Sequence, residues 1–377
     1  AAEGTAGFET VGNTCAANFP VSVYMKKILG LDIADDESVL WDMTTQATMD
    51  NLGLWCNYAQ LYRDIAHCYR AGVFEKNLPA EEYASINWAG FENDSKDPTV
   101  MVEILTKISQ NDSELSKIAY GPLVWCERWN DQEWFDTATS TLINYRGWPV
   151  HHAIECFGQV GAVYNMMFNR DDMIHSAVNF QGCGLPWEIK QQIAKEVWGS
   201  ETAIDQNKNY TPMNEYKAKF CWWSIVTDVL HDCLTLCNWV WPMTMSPSKS
   251  RDYRGDLDLE AKFYTAVTGE EMTRDELYKR AASVMTLQRA NTVRGMGTTD
   301  MRNEHDTITE WVFTKDPDIQ PFTAGTDKME REDFQTALGM VYKEFGWDEK
   351  TGAPTAACLD DYGMGDVKDE LASLNLL

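Results

Sequence analysis

Apolar positions along this 377-residue chain recur mostly at helical spacing. Tyr58, Leu61, Tyr62, Ile65 and Tyr69 follow the i, i+3, i+4, i+7 rule, so they fall on one stripe, and Gly72 can end that helix in a left-handed conformation. A second helix is predicted from Thr273, which forms a capping box with Glu276 ahead of Leu277, Ala281, Val284 and Met285 and runs to Gly295. A third spans Asp333 to Phe345 and is closed by Gly346. Alternating strand patterns are scarce and short. The chain reads as mainly α.

The longest apolar stretch runs from Phe220 to Trp241, FCWWSIVTDVLHDCLTLCNWVW, and stops at Pro242. A helix that is apolar nearly all round is expected to be buried. Asp228 and Asp232 share one face of it, and Cys233 and Cys237 share a face as well. A buried carboxylate left unsatisfied is costly, so two acids with His231 between them imply partners. On residue types alone a polar network tying core helices together is favoured over a ligand site. Asp232 and Cys237 lie about 140° apart on a straight helix. They serve one ligand only if the chain turns near Thr235.

Length and composition add limits. The chain is long enough for two domains of ordinary size, and its 44% hydrophobic content, with 15 Trp, can fill large cores. The segments ENDSKDP (92–98), ERWNDQEWFD after Cys126 and DQNKNYTPMNEYK from Asp205 are polar breaks. A net charge of −26 repels phosphate backbones and argues against nucleic-acid binding. No unbroken apolar run approaches the ~20 residues of a membrane span, since Asp228, His231 and Asp232 interrupt the longest one. Ten cysteines without any C-x-x-C pair, and no signal peptide, point to a reducing, cytoplasmic setting.

Several stretches together resemble the aldehyde:ferredoxin oxidoreductase family of tungsten and molybdenum enzymes. Asp50-Asn-Leu-Gly-Leu-Trp55 and Asp232-Cys-Leu-Thr-Leu-Cys237 resemble its paired D-x-x-G-L-C/D motifs, with Trp55 and Thr235 as departures. TGEEMTRDELYKRAASVMTLQRANTVRG and the closing GWDEKTGAPTAACLDDYGMGDV are similar to two further family segments. FNRDDMIHS and GFETVG resemble the neighbourhoods of the family's active-site His and Glu, which would be His175 and Glu9.

The resemblance implies two multi-helical domains, residues 1–135 and 136–377, equivalent to the family's second and third. Its N-terminal β-rich pterin domain and its C-x-x-C-x-x-x-C run are not present in these residues. It implies a tungsten or molybdenum bis-pterin centre contacted by Asp50, Gly53, Leu54, Trp55, Asp232, Leu236 and Cys237. Cys237 would also be a ligand of a [4Fe–4S] cluster. Glu9 and His175 would be the catalytic acid and base of aldehyde oxidation, with a ferredoxin-like carrier taking the electrons. A separate N-terminal part of the same enzyme and an oligomeric assembly are expected partners. The rivals are a family member acting on another substrate, such as a thioester-activated ring, and a cofactor-free helical scaffold or fragment.

Overall fold

The computed structural model describes residues 21–54, 60–120, 158–167, 184–206, 211–236, 248–308 and 329–377, together with positions 129, 144–145, 148–149, 180, 245–246 and 313. The chain divides into two compact units, Ala1–His152 and Ala153–Leu377. The expected boundary at residues 135 and 136 lies outside the described residues.

In the first unit, a short helix and π-turn over Val21–Leu29 lead into α1 (Asp35–Asn51), followed by α2 (Gln60–Arg70) and α3 (Thr99–Gln110). Glu37 starts α1 by accepting the Ala34 backbone N–H at 2.8 Å, and Asp35, Asp36 and Glu37 oppose the positive end of the helix. Gly72 adopts φ +71° just after α2, as its position predicts. Trp41 on α1, Ile65 on α2 and Met101, Ile104 and Leu105 on α3 are fully buried in one core. Gly90 is required there, because a Cβ at that position would lie 2.7 Å from the Val100 side chain.

In the second unit the described helices of six residues or more are α4 (Gly158–Met167), α5 (Trp187–Trp198), α6 (Glu215–Leu234), α7 (Leu259–Thr268), α8 (Arg274–Met296), α9 (Arg331–Phe345), α10 (Ala356–Asp361) and α11 (Gly365–Ser373). Helix α6 is the axis of this unit and packs against α4, α8 and α9. It starts where the Asn214 side chain accepts the N–H groups of Tyr216 and Lys217. The capping box of α8 forms as predicted: the Thr273 N–H donates to Glu276 at 2.8 Å, and the Glu276 N–H donates to Thr273 Oγ1 at 3.3 Å.

Three buried polar pairings tie these helices together. Tyr164 donates to Asp228 at 2.7 Å, His231 Nε2 meets Glu260 at 3.0 Å, and the buried Lys217 ammonium reaches Asp205 at 2.6 Å. The segment from Gly346 to Pro354 is a structural tie. Asp348 accepts N–H groups from Lys350 and Thr351, and Arg302 donates to the carbonyls of Lys350 and Gln335. Among the described residues the one sheet is a two-stranded antiparallel pairing of Asn144–Tyr145 with Trp148–Pro149, and no helix is long and apolar enough to cross a membrane.

Two expectations are corrected. The apolar helix does not continue to Trp241 but ends at Leu234, because Thr235 takes the left-handed conformation at φ 57°, ψ 35°. Asp232 is not buried with Asp228. Asp228 lies inside the core, whereas one turn later the same stripe has run past the core and Asp232 is exposed.

Candidate functional site

The two motif turns have the same backbone. In the first, the Gly53 N–H donates to the Asp50 carbonyl at 3.1 Å and the Leu54 N–H donates to the Met49 carbonyl at 2.9 Å. In the second, Thr235 donates to Asp232 at 3.3 Å and Leu236 to His231 at 2.9 Å. This pair of bonds is a Schellman cap, in which a left-handed residue satisfies the last carbonyls of a helix and turns the chain away. Gly53 and Thr235 are the left-handed residues, at φ 66° and φ 57°. Leu54 and Leu236 follow, each half-buried, with Leu54 packed on the core of its unit. The turn that Asp232 and Cys237 need in order to serve one ligand is therefore present.

Asp50 and Asp232 thus occupy the same place, two residues before the end of the hydrogen-bonded ladder, and both are exposed. A carboxylate in the last turn opposes the negative end of the helix dipole, at a cost of roughly 0.3–1 kcal/mol. A third turn of this kind makes the contrast. Asp360 precedes Gly363 and Met364, which donate to the carbonyls of Asp360 and Leu359, and its carboxylate is neutralised by an ion pair to Lys368. Asp50 has no ion-pair partner among the described residues. That arrangement suits an acceptor kept open for N–H donors or a cation.

Thr235 adds a second local cost. A β-branched residue at positive φ is rare and strained by about 1–2 kcal/mol, and such strain collects at ligand sites. Thr235→Gly is expected to raise stability by about 0.5–1 kcal/mol, after allowing for the larger entropy glycine loses on folding. Urea unfolding at pH 7 reads the shift. A loss of stability would mean that the threonine side chain makes a contact worth more than the strain. Beside this turn, burial and the Asp232 carboxylate both push the Cys233 thiol above its usual range, so Cys233 is a protonated thiol at neutral pH.

Glu9, Trp55, His175 and Cys237 lie outside the described residues. Among the described residues no group of three or more His, Cys, Asp or Glu side chains could hold a metal ion. Of the assigned residues, the structure describes Asp50, Gly53, Leu54, Asp232 and Leu236.

Residues 33–364 match the family model for aldehyde ferredoxin oxidoreductase, domains 2 and 3. The fold is similar to that of a chain in the active-site complex BamBC of benzoyl-coenzyme A reductase in complex with 1,5-dienoyl-CoA, with a TM-score of 0.58 at 17% identity. That likeness covers 89% of this chain and 50% of the other, so this chain spans half the length of the solved chain that it matches. A match over that much of the sequence, with helical units that carry both motif turns, means that the chain belongs to the aldehyde ferredoxin oxidoreductase family through domains 2 and 3.

Proposed function

We propose that this chain provides the two helical domains of an oxidoreductase that oxidises an aldehyde to the acid, with a tungsten or molybdenum bis-pterin as its cofactor. When bound, such a cofactor supplies the two-electron chemistry and takes its metal ligands from the pterin dithiolenes, so the protein contributes hydrogen bonds and protons. The observation that carries the reading is the shared turn that presents Asp50 and Asp232 as exposed carboxylates at helix C-termini. Each acid would accept ring N–H groups of one pterin, which offsets the unfavourable dipole. Gly53, Leu54 and Trp55 would line the approach to one pterin, and Leu236 and Cys237 the approach to the other.

Cys237 would serve as one thiolate of a [4Fe–4S] cluster. Three further thiolates, and the β-rich part that covers the pterins, would come from sequence beyond these 377 residues. Glu9 and His175 would hold and move the protons that oxidation by water releases. A ferredoxin-like carrier is the proposed electron acceptor. A second reading changes only the substrate. A thioester-activated ring in place of an aldehyde is favoured by the fold shared with the benzoyl-coenzyme A reductase chain and by the departures at Trp55 and Thr235.

The test is elemental analysis for W, Mo and Fe on protein purified without oxygen from its native source. Tungsten or molybdenum with about four irons per chain is expected, as one cubane cluster requires. Asp232→Ala and Asp50→Ala are each expected to lower the W or Mo content at least tenfold while far-UV circular dichroism stays unchanged. Full metal content in both folded variants would remove the acids from the site. A folded wild-type complex with no metal would leave the cofactor-free scaffold as the reading.

A further inference from the structure

In the second unit a cleft of about 700 Å3 opens between the C-terminal ends of α5 and α9, the first half of α6 and the start of α8. That size falls within the range of about 300–1,000 Å3 typical of small-molecule sites. Trp222, Trp223, Tyr278 and Tyr362 line it, with Lys219 and Glu344 among the charged groups. It is separate from the motif turn on the same helix. Trp222 precedes Asp232 by ten residues, about 15 Å of helical rise.

Most of the charges in the cleft already have partners. Lys279 pairs with Asp361 at 3.0 Å, Arg274 with Asp275 at 3.5 Å, and Glu196 takes Arg254 through two contacts of 2.7 and 2.8 Å. The Lys219 ammonium rests 5.3 Å from the centre of the Tyr216 ring. Glu344 is different. Its carboxylate is half-buried and makes no hydrogen bond or ion pair among the described residues. Burial pushes its carboxyl group up, Lys219 and Lys343 work against this, and Glu215 adds to it. An acid in this setting gains most from a cation brought from outside.

The helix ends favour the same sign of charge. α5 and α9 finish at the cleft and turn their negative ends towards it, closed by Gly199 and Gly346 in left-handed conformations. α8 points its positive end the same way, but Asp275 and Glu276 in its first turn already offset that. The walls are aromatic. The Trp222 and Tyr278 rings stand 6.4 Å apart, inclined at 36°, and a cation within about 6 Å of such a ring face is attracted by the ring's quadrupole.

We propose that this cleft binds a small organic cation, an ammonium group on an apolar body, with Glu344 as counter-ion and Trp222 and Tyr278 as walls. The ligand is distinct from the redox cofactor, and its binding does not depend on that cofactor being loaded.

The probe is benzyltrimethylammonium chloride, titrated into the full chain and followed by tryptophan fluorescence and calorimetry, with benzenesulfonate and benzyl alcohol as the anionic and neutral counterparts. Saturable binding of the ammonium is expected, with the counterparts at least tenfold weaker. Glu344→Gln and Trp222→Leu should each weaken the ammonium at least tenfold with far-UV circular dichroism unchanged, and Lys219→Met should hold or tighten it. The proposal fails if the ammonium does not saturate, or if benzenesulfonate binds as well. It also fails if folded Glu344→Gln keeps wild-type affinity, or if Lys219→Met weakens binding tenfold.

Discussion

Asp306→Asn is expected to destabilise the second unit by about 3–5 kcal/mol, the usual cost of breaking a buried ion pair from one side. Asp306 is fully buried, and Arg289, 1% exposed, approaches it from α8. Arg289 Nη1 donates to Oδ1 at 3.0 Å, while Nη2 lies 2.9 Å from Oδ2 but off the direction of a hydrogen bond. Tyr342 on α9 donates to Oδ2 at 2.5 Å, and His305 Nδ1 meets Oδ1 at 2.7 Å. The guanidinium also stacks 4.7 Å from the centre of the Trp347 ring. One carboxylate therefore ties α8 to α9, and the asparagine would leave a guanidinium charge in the core with no counter-charge.

The same pair sets a pH dependence. Burial alone would raise the Asp306 carboxyl, but Arg289, helped by His305, holds it below the ordinary value of 3.8. A carboxyl lowered by folding stabilises the native state at pH values above its unfolded pKa, about 3.9. That contribution is lost as the pH falls through the folded pKa. The gap between wild type and Asp306→Asn should therefore be full from pH 5 to 7 and shrink below pH 4. Urea unfolding of both proteins across that range reads it, and a gap that widened in acid would reverse the assignment.

Gly352→Ala is expected to cost about 3 kcal/mol, the sum of backbone strain and overpacking. Gly352 has φ +78°, and a Cβ there would lie 2.7 Å from Tyr342 Cζ. The Tyr342 ring is fully buried and held by Asp306, so it has nowhere to move. Gly363→Ala is the control. Gly363 has φ +70° with open space around it, so its substitution should cost only about 1–2 kcal/mol of backbone strain. Equal melting temperatures for the two variants would mean that Tyr342 yields.

The parts of the fold that are legible in the sequence are those fixed by local rules. The Thr273–Glu276 box, the glycines at 72 and 346 and the stripe on α8 each follow from side chains a few residues apart. The end of α6 is not legible, because Thr235 adopts a conformation that β-branched residues avoid and the apolar run continues past it. Asp228 and Asp232 look alike by spacing, yet one meets Tyr164 and the other meets solvent, a difference made by where the surrounding helices stop. Arg289 and Asp306 are 17 residues apart and joined through a bend, so no periodicity links them. Glu344 reads as an ordinary acid on an amphipathic helix, and only the closure of α5, α6 and α8 around it gives it a cleft. The spacing of Asp50, Gly53, Asp232 and Leu236 assigns them no shared role by itself; the family resemblance supplies one, and the common turn is a property of the backbone that spacing does not show.

That common turn bears on how the protein can change over time. The direction of each acid relative to its own helix is set by two backbone hydrogen bonds within six residues, and backbone bonds are indifferent to most side-chain replacements. Core positions in either unit can drift, swapping one apolar residue for another, without re-aiming the carboxylate. Glycine in one turn and threonine in the other take the same left-handed conformation, with the turn kept intact. The geometry of the turn is therefore modular: a short segment carries it, and the surrounding architecture has only to keep that segment's helix folded.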